Sequence, residues 1–149
     1  MIVHHVTQGS AEWHALRAQH RCASDAAAMM GDPGAYETRD ALLQRLATGI
    51  APEIDEATQR RFDAGHAAEA AARPLVEAMI GEELYPVVVT DQIAGMPLLA
   101  SLDGLPMISR RLYEHKLIGA ARVRHLAEHG EPLPSDTWQL EQQLLVTGA

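Results

Sequence analysis

The sequence predicts a mixed fold of class α/β (α+β) in one domain covering 1–149. Three observations lead there. Capped helical patterns fill the first half, a β-branched run opens at Leu84, and helical patterns return after Ala120. Helices, then a hairpin-rich sheet, then helices describe a layered sandwich. The apolar fraction is 47%, enough for a real core in 149 residues.

The first half, 10–50, reads as helical. Ser10 caps a helix over about 11–19, with Trp13 and Leu16 on its inner face. Ser24 is expected to cap a short alanine- and methionine-rich helix ending at Gly31, with Met29 and Met30 in the core. Thr38 caps a helix through Leu42, Leu43 and Leu46 that stops at Gly49. A long helix over 56–80 follows, closed by Gly81, with Pro74 expected to kink or divide it. Three strands are expected in a sheet over 84–117: Leu84 to Thr90, Met96 to Ser101, and Arg111 to Leu117. Two helices within 120–147 finish the chain: the first runs from Ala120 to His129, Pro132 and Pro134 then break the chain, and Ser135 or Asp136 caps the second. His4-His5 reads as a strand or edge feature, and Trp13 and Trp138 as core anchors.

Charge narrows the functional classes. A net charge of -8 and a pI of about 5.4 argue against a protein that coats nucleic acid by bulk attraction. Local potential still allows action on an anion, and arginines cluster at Arg17 and Arg21, Arg60 and Arg61, Arg110 and Arg111, and Arg122 and Arg124. One cysteine, Cys22, provides no disulfide framework. With no signal peptide and no apolar run long enough for a membrane span, a cytoplasmic location is expected.

Lys116 is the only lysine, against eleven arginines. It follows Glu114 by two residues, and Asp103 precedes Glu114 by eleven. Lysine offers a compact, adjustable charge that arginine does not. On a strand Glu114 and Lys116 share one face. Asp103-Gly104 is read as closing the preceding strand, so an antiparallel partner brings Asp103 opposite Glu114. Two facing carboxylates repel, and a divalent cation relieves that repulsion. Magnesium takes few protein carboxylates, keeps waters and accepts phosphate oxygens. Lys116 can then orient a water or stabilise transition-state charge. A surface hairpin with a cross-strand ion pair is the ordinary alternative. Glu69, in Gly65-His66-Ala67-Ala68-Glu69, could reach the cation from the long helix. The small residues Ala64, Ala67, Ala68, Ala70, Ala71 and Ala72 are expected to let that helix press on the sheet. His66 shares the face of Glu69 and is kept as an uncertain member of the site.

Five motifs in order resemble the lambda exonuclease, or YqaJ-type viral recombinase, family of the PD-(D/E)XK nuclease superfamily. They are Gln8-Gly9-Ser10-Ala11-Glu12-Trp13 through Arg17 and Ala23-Ser24; Gly65 to Glu69 with Ala72-Arg73-Pro74; Ala100-Ser101-Leu102-Asp103-Gly104; Glu114-His115-Lys116; and Gln139 to Gly148. The resemblance implies a PD-(D/E)XK core, a central mixed sheet flanked by helices. It implies that Asp103, Glu114, Glu69 and the His115 carbonyl ligate Mg2+, with Mn2+ as a substitute. It further implies that Lys116 activates water, that Gln139 positions that water or the lysine, and that Arg17, Ser24 and Ser101 hold a 5′-phosphate. The implied reaction is 5′-to-3′ hydrolysis of one strand of linear duplex DNA from a phosphorylated end. The implied partners are DNA ends, two further copies in a homotrimeric ring, and a single-strand annealing recombinase in phage-type recombination, with no membrane partner.

The last helix departs from the family pattern at Glu141, where a glutamine is usual, and family members continue beyond the equivalent of Ala149, so a chain lacking C-terminal elements is expected. An endonuclease on the same core and a non-catalytic DNA-binding or assembly module are the rival readings. His125-Leu126-Ala127-Glu128-His129 fits an inverted zinc-peptidase pattern, but lies at a helix end, where histidine simply complements the dipole.

Overall fold

A computed structural model describes residues 1–109 and 111–149. Arg110, one of the paired arginines, lies outside the described residues. The elements are β1 (Ile2–His4), α1 (Ala11–Gln19), β2 (Arg21–Cys22), α2 (Ala26–Met29), α3 (Arg39–Thr48), α4 (Glu56–Ile80), β3 (Tyr85–Ile93), β4 (Met96–Leu105), α5 (Ala120–His129) and α6 (Pro134–Thr147).

The sheet has the order β1-β3-β4-β2. β1 and β4 pair antiparallel with β3, and β2 runs parallel to β4. β-branched Val87, Val88 and Val89 suit the central pair, where all three are buried. One face carries Val87, Val89, Leu98, Ala100 and Leu102, which cluster with Val146 of α6 and with Ala23. The other carries Val88 and Leu99, which cluster with Cys22 and receive Trp13 and Leu16 of α1. His4-His5 behaves as read: His4 ends the edge strand β1 and its Nε2 lies 2.8 Å from Thr90 Oγ1.

Several helix starts match their capping residues. Ser10 Oγ accepts from the Trp13 N–H, Thr38 Oγ1 from Ala41, and Asp55 Oδ1 from Thr58. Others do not. Ser24 sits in a one-turn 3-10 segment, Ala23–Asp25, and α2 begins after it with Asp25 at its N-cap. α6 starts at Pro134, with Leu133 as N-cap rather than Ser135 or Asp136. Pro134 therefore opens a helix, because its missing N–H costs nothing at a first position. α4 remains one helix through Pro74. It is not pressed against the sheet by its alanines: Thr58 is its only buried residue, and Ala64, Ala67, Ala70 and Ala71 are exposed. Met30 is exposed rather than core, and Trp138 is 37% exposed, its Nε1 donating to Asp32 Oδ2 at 3.2 Å.

The expected third strand is reduced to one bridge. β4 does not stop at Asp103-Gly104 but continues to Leu105, and Tyr113 alone pairs with it, opposite Gly104. The Tyr113 N–H donates to the Gly104 carbonyl at 2.9 Å, and the Gly104 N–H to the Tyr113 carbonyl at 3.2 Å. Pairing stops there because the next available N–H, that of His115, donates to the Asp103 carboxylate at 2.7 Å. A side chain has taken the donor that would have extended the ladder.

Candidate active site

The bridge sets the register of the site. Continued by one residue from Gly104 and Tyr113, it puts Asp103 across from Glu114. Gly104 is required at this crossing. A Cβ there would lie 2.8 Å from Leu84 Cβ and 3.2 Å from Tyr113 Cβ, so a larger residue would push the Glu114 segment away from β4.

Glu114 is well enclosed, with 9% of its side chain exposed against 16% for Glu69. Three side chains contact its carboxylate. Lys116 Nζ lies 2.6 Å from Oε1, Gln139 Nε2 donates to Oε1 at 2.7 Å, and Gln143 Nε2 donates to Oε2 at 2.7 Å. Lys116 Nζ also donates to Gln139 Oε1 at 2.8 Å. Glu114, Lys116 and Gln139 thus close a three-membered ring of contacts. Gln139 and Gln143 are one helical turn apart on α6 and reach the same carboxylate, one oxygen each. Gln143 was not expected here. It is 1% exposed, and its Nε2 also reaches the Ser101 carbonyl at 3.4 Å. Its spacing of four from Gln139 is the signal that could have found it. Glu141, the departure from the family pattern, is exposed on the same helix.

Asp103 is placed differently. Burial and the nearby Glu114 carboxylate, with a smaller push from Glu69, raise its pKa to about 6; the His115 N–H and Lys116 pull the other way. The same field reaches Tyr113, whose phenol is raised by burial and then by Asp103 and Glu69. Glu69 is ion-paired with Arg73 one turn along α4. The Tyr113 hydroxyl and Arg73 Nε are buried with no hydrogen-bond partner among the described residues. His66 is exposed on α4.

The acids therefore lie within electrostatic reach of one another, but among the described residues no three His, Cys, Asp or Glu side chains converge on one ion position. Glu69 turns to Arg73, and Glu114 to Lys116, Gln139 and Gln143. The donor chemistry nonetheless fits a hard divalent cation: carboxylate oxygens, mutually repelling, one of them with its proton affinity raised by burial and then by its neighbours.

The second group of expected residues gathers beside β4. Arg17 Nη2 donates to Ser24 Oγ at 3.2 Å, and its guanidinium stacks 4.6 Å above the Trp13 ring centroid. Trp13 Nε1 donates to Ser101 Oγ at 3.1 Å. Arg17, Ser24 and Ser101 are thus tied together through Trp13, with Ser101 two residues before Asp103 on the same strand face. Trp13 is accordingly a packed anchor with a polar link. His125 and His129 stack 4.3 Å apart on α5, in no metal-ready group among the described residues.

The model of the YqaJ-like viral recombinase domain matches residues 12–149. The crystal structure of LHK-Exo, an alkaline exonuclease from Laribacter hongkongensis, is similar at a TM-score of 0.70 with 30% identity, over 93% of this chain and 69% of that one. LHK-Exo in complex with dAMP gives a TM-score of 0.71 with 28% identity over the same shares. No curated protein matches the chain.

Proposed function

The chain belongs to the YqaJ-like viral recombinase domain family, and we propose that it is a metal-dependent nuclease, a 5′-to-3′ exonuclease acting on one strand of linear duplex DNA from a 5′-phosphorylated end. The observation that carries this reading is the contact ring of Glu114, Lys116 and Gln139 across from Asp103. The similarity to an alkaline exonuclease supports it.

In this reading Asp103 and Glu114, with Glu69 and the His115 carbonyl, would hold Mg2+, which supplies Lewis-acid polarisation of the scissile phosphodiester. The protein's own groups do the rest. Glu114 and Gln139 fix the Lys116 ammonium, which orients the attacking water and balances charge developing on the phosphoryl oxygens. Gln143 and Gln139 keep the Glu114 carboxylate oriented. Arg17 and Ser24 supply a guanidinium fork and a hydroxyl to the end phosphate. Ser101, held by Trp13, places that phosphate next to Asp103 and restricts cutting to an end. A homotrimeric ring and an annealing recombinase partner belong to the same proposal and rest on the family resemblance; sedimentation tests the first.

The test is incubation with Mg2+ of 5′-phosphorylated linear duplex, 5′-hydroxyl linear duplex and closed circular duplex. The phosphorylated linear form should be consumed fastest, and the circle should persist. Rapid loss of the circle would point instead to an endonuclease, and no Mg2+-stimulated cleavage of any substrate would favour a binding module.

A further inference from the structure

Beside the Arg17–Ser24 contact, four charged side chains follow one another from α3 to α1. Arg45 Nη2 lies 2.6 Å from Glu37 Oε1 and 3.1 Å from Asp25 Oδ1. That same Asp25 oxygen lies 3.7 Å from Arg17 Nη2, the nitrogen that donates to Ser24 Oγ. Side-chain exposures of 13% to 23% along this row limit screening by solvent.

Asp25 poses a problem for an anion site. Its carboxylate repels a phosphate dianion and competes with it for the Arg17 guanidinium. Among the described residues its ion-pair partners are Arg17 and Arg45, and Arg45 is the nearer. Arg45 is itself shared, because Glu37 holds it more closely than Asp25 does. Each member therefore weakens the hold of its neighbour on the next.

We propose that Arg45 is a positioning residue for end recognition: it draws the Asp25 carboxylate away from Arg17, leaving Arg17 free for a 5′-phosphate, while Glu37 moderates this by competing for Arg45. The proposal rests on the end-phosphate reading of Arg17 and Ser24. It assigns opposite signs to two substitutions in one row. Loss of Arg45 leaves Asp25 to claim Arg17, which weakens the hold on the phosphate. Loss of charge at Glu37 turns Arg45 more fully to Asp25, which strengthens it. A scaffold role for the row would give both substitutions the same sign.

The experiment measures fluorescence anisotropy of 3′-labelled duplexes, in EDTA, that differ only in a 5′-phosphate or a 5′-hydroxyl. Wild type should prefer the phosphate. Arg45→Ala should lower that preference by on the order of tenfold, equivalent to about 1.4 kcal/mol. Arg45→Lys should keep most of it, and Glu37→Gln should raise it severalfold, with affinity for the hydroxyl end unchanged throughout. An unchanged preference in Arg45→Ala, or a fall in Glu37→Gln, would overturn the relay alone. A wild type that binds both ends equally would remove the end-phosphate reading and the relay with it. Should Arg45→Ala fail to fold, the sign of Glu37→Gln decides: a rise supports the relay, and no change or a fall overturns it.

Discussion

Asp103 gives up its proton less readily than a free carboxyl, and the direction of that shift predicts how the protein responds to pH and metal. Its folded pKa is about 6 against an ordinary 3.8. The folded state therefore binds the extra proton more tightly than the unfolded chain. The resulting stabilisation is fully present below pH 3.8 and is lost as pH rises through about 6. Two outcomes follow for thermal melts. Asp103→Asn should raise the metal-free Tm at pH 8 but not at pH 4, while abolishing cleavage. Mg2+ should raise the wild-type Tm more at pH 8 than at pH 5, since the cation competes with the proton for the same oxygen. Lys116→Ala should lower turnover by at least about a hundredfold while DNA-end binding persists, checked by single-turnover cleavage beside anisotropy. Gln143→Ala removes a buried donor from Glu114 Oε2. It should cost about 1–3 kcal/mol in denaturant melts and weaken metal binding or activity by roughly tenfold to a hundredfold. At this scale the sequence was informative where chemistry is unusual. A single lysine two residues from a glutamate was visible at once. Gln143 was less visible: its spacing of four from Gln139 puts both on one helix face, but a glutamine in a polar helix looks the same whether that face is buried or exposed.

At the scale of elements, local signals succeeded where a side chain caps or a glycine ends a helix. α1 and α3 begin at the capping residues expected of them, and α4 begins and ends where its pattern placed it. They failed where tertiary contacts decide. The alternating run after Arg111 looks like a strand, but Asp103 takes the His115 N–H and the ladder stops. β2 is two residues long and owes its existence to pairing with Leu98 and Leu99, which no local pattern announces. The β3–β4 turn holds Ala94 at φ 51° and Gly95 at φ 78°. Two positive values suit the mirror-image turns of hairpins, but an alanine there is strained. Ala94→Gly should therefore stabilise the fold by about 0.5–1 kcal/mol in denaturant melts, without altering cleavage. Gly104→Ala should do the reverse. Its Cβ meets Leu84 and Tyr113, so stability should fall by about 1–3 kcal/mol, and activity should fall further as Glu114 moves from Asp103.

At the scale of the whole molecule, two clusters lie along one strand. Ser101 and Asp103 share β4, so the row holding Arg17 and Ser24 and the ring holding Glu114 and Lys116 are spaced by one strand of the central pair. The sequence made both clusters readable as separate motifs, but not the row that joins Asp25, Arg45 and Glu37, whose members lie up to 20 residues apart. α4 presents Leu75 and Met79 to solvent at 68% and 83% exposure. Among the described residues no helix is long and apolar enough to cross a membrane.

Under the proposed function Asp103 and Glu114 would share one cation, and calorimetric titration of Mn2+ at pH 8 tests this without relying on turnover. Wild type should bind with measurable heat, and an Asp103→Asn/Glu114→Gln double variant that remains folded should show none. Undiminished binding by the double variant, or no binding by the wild type, would contradict it.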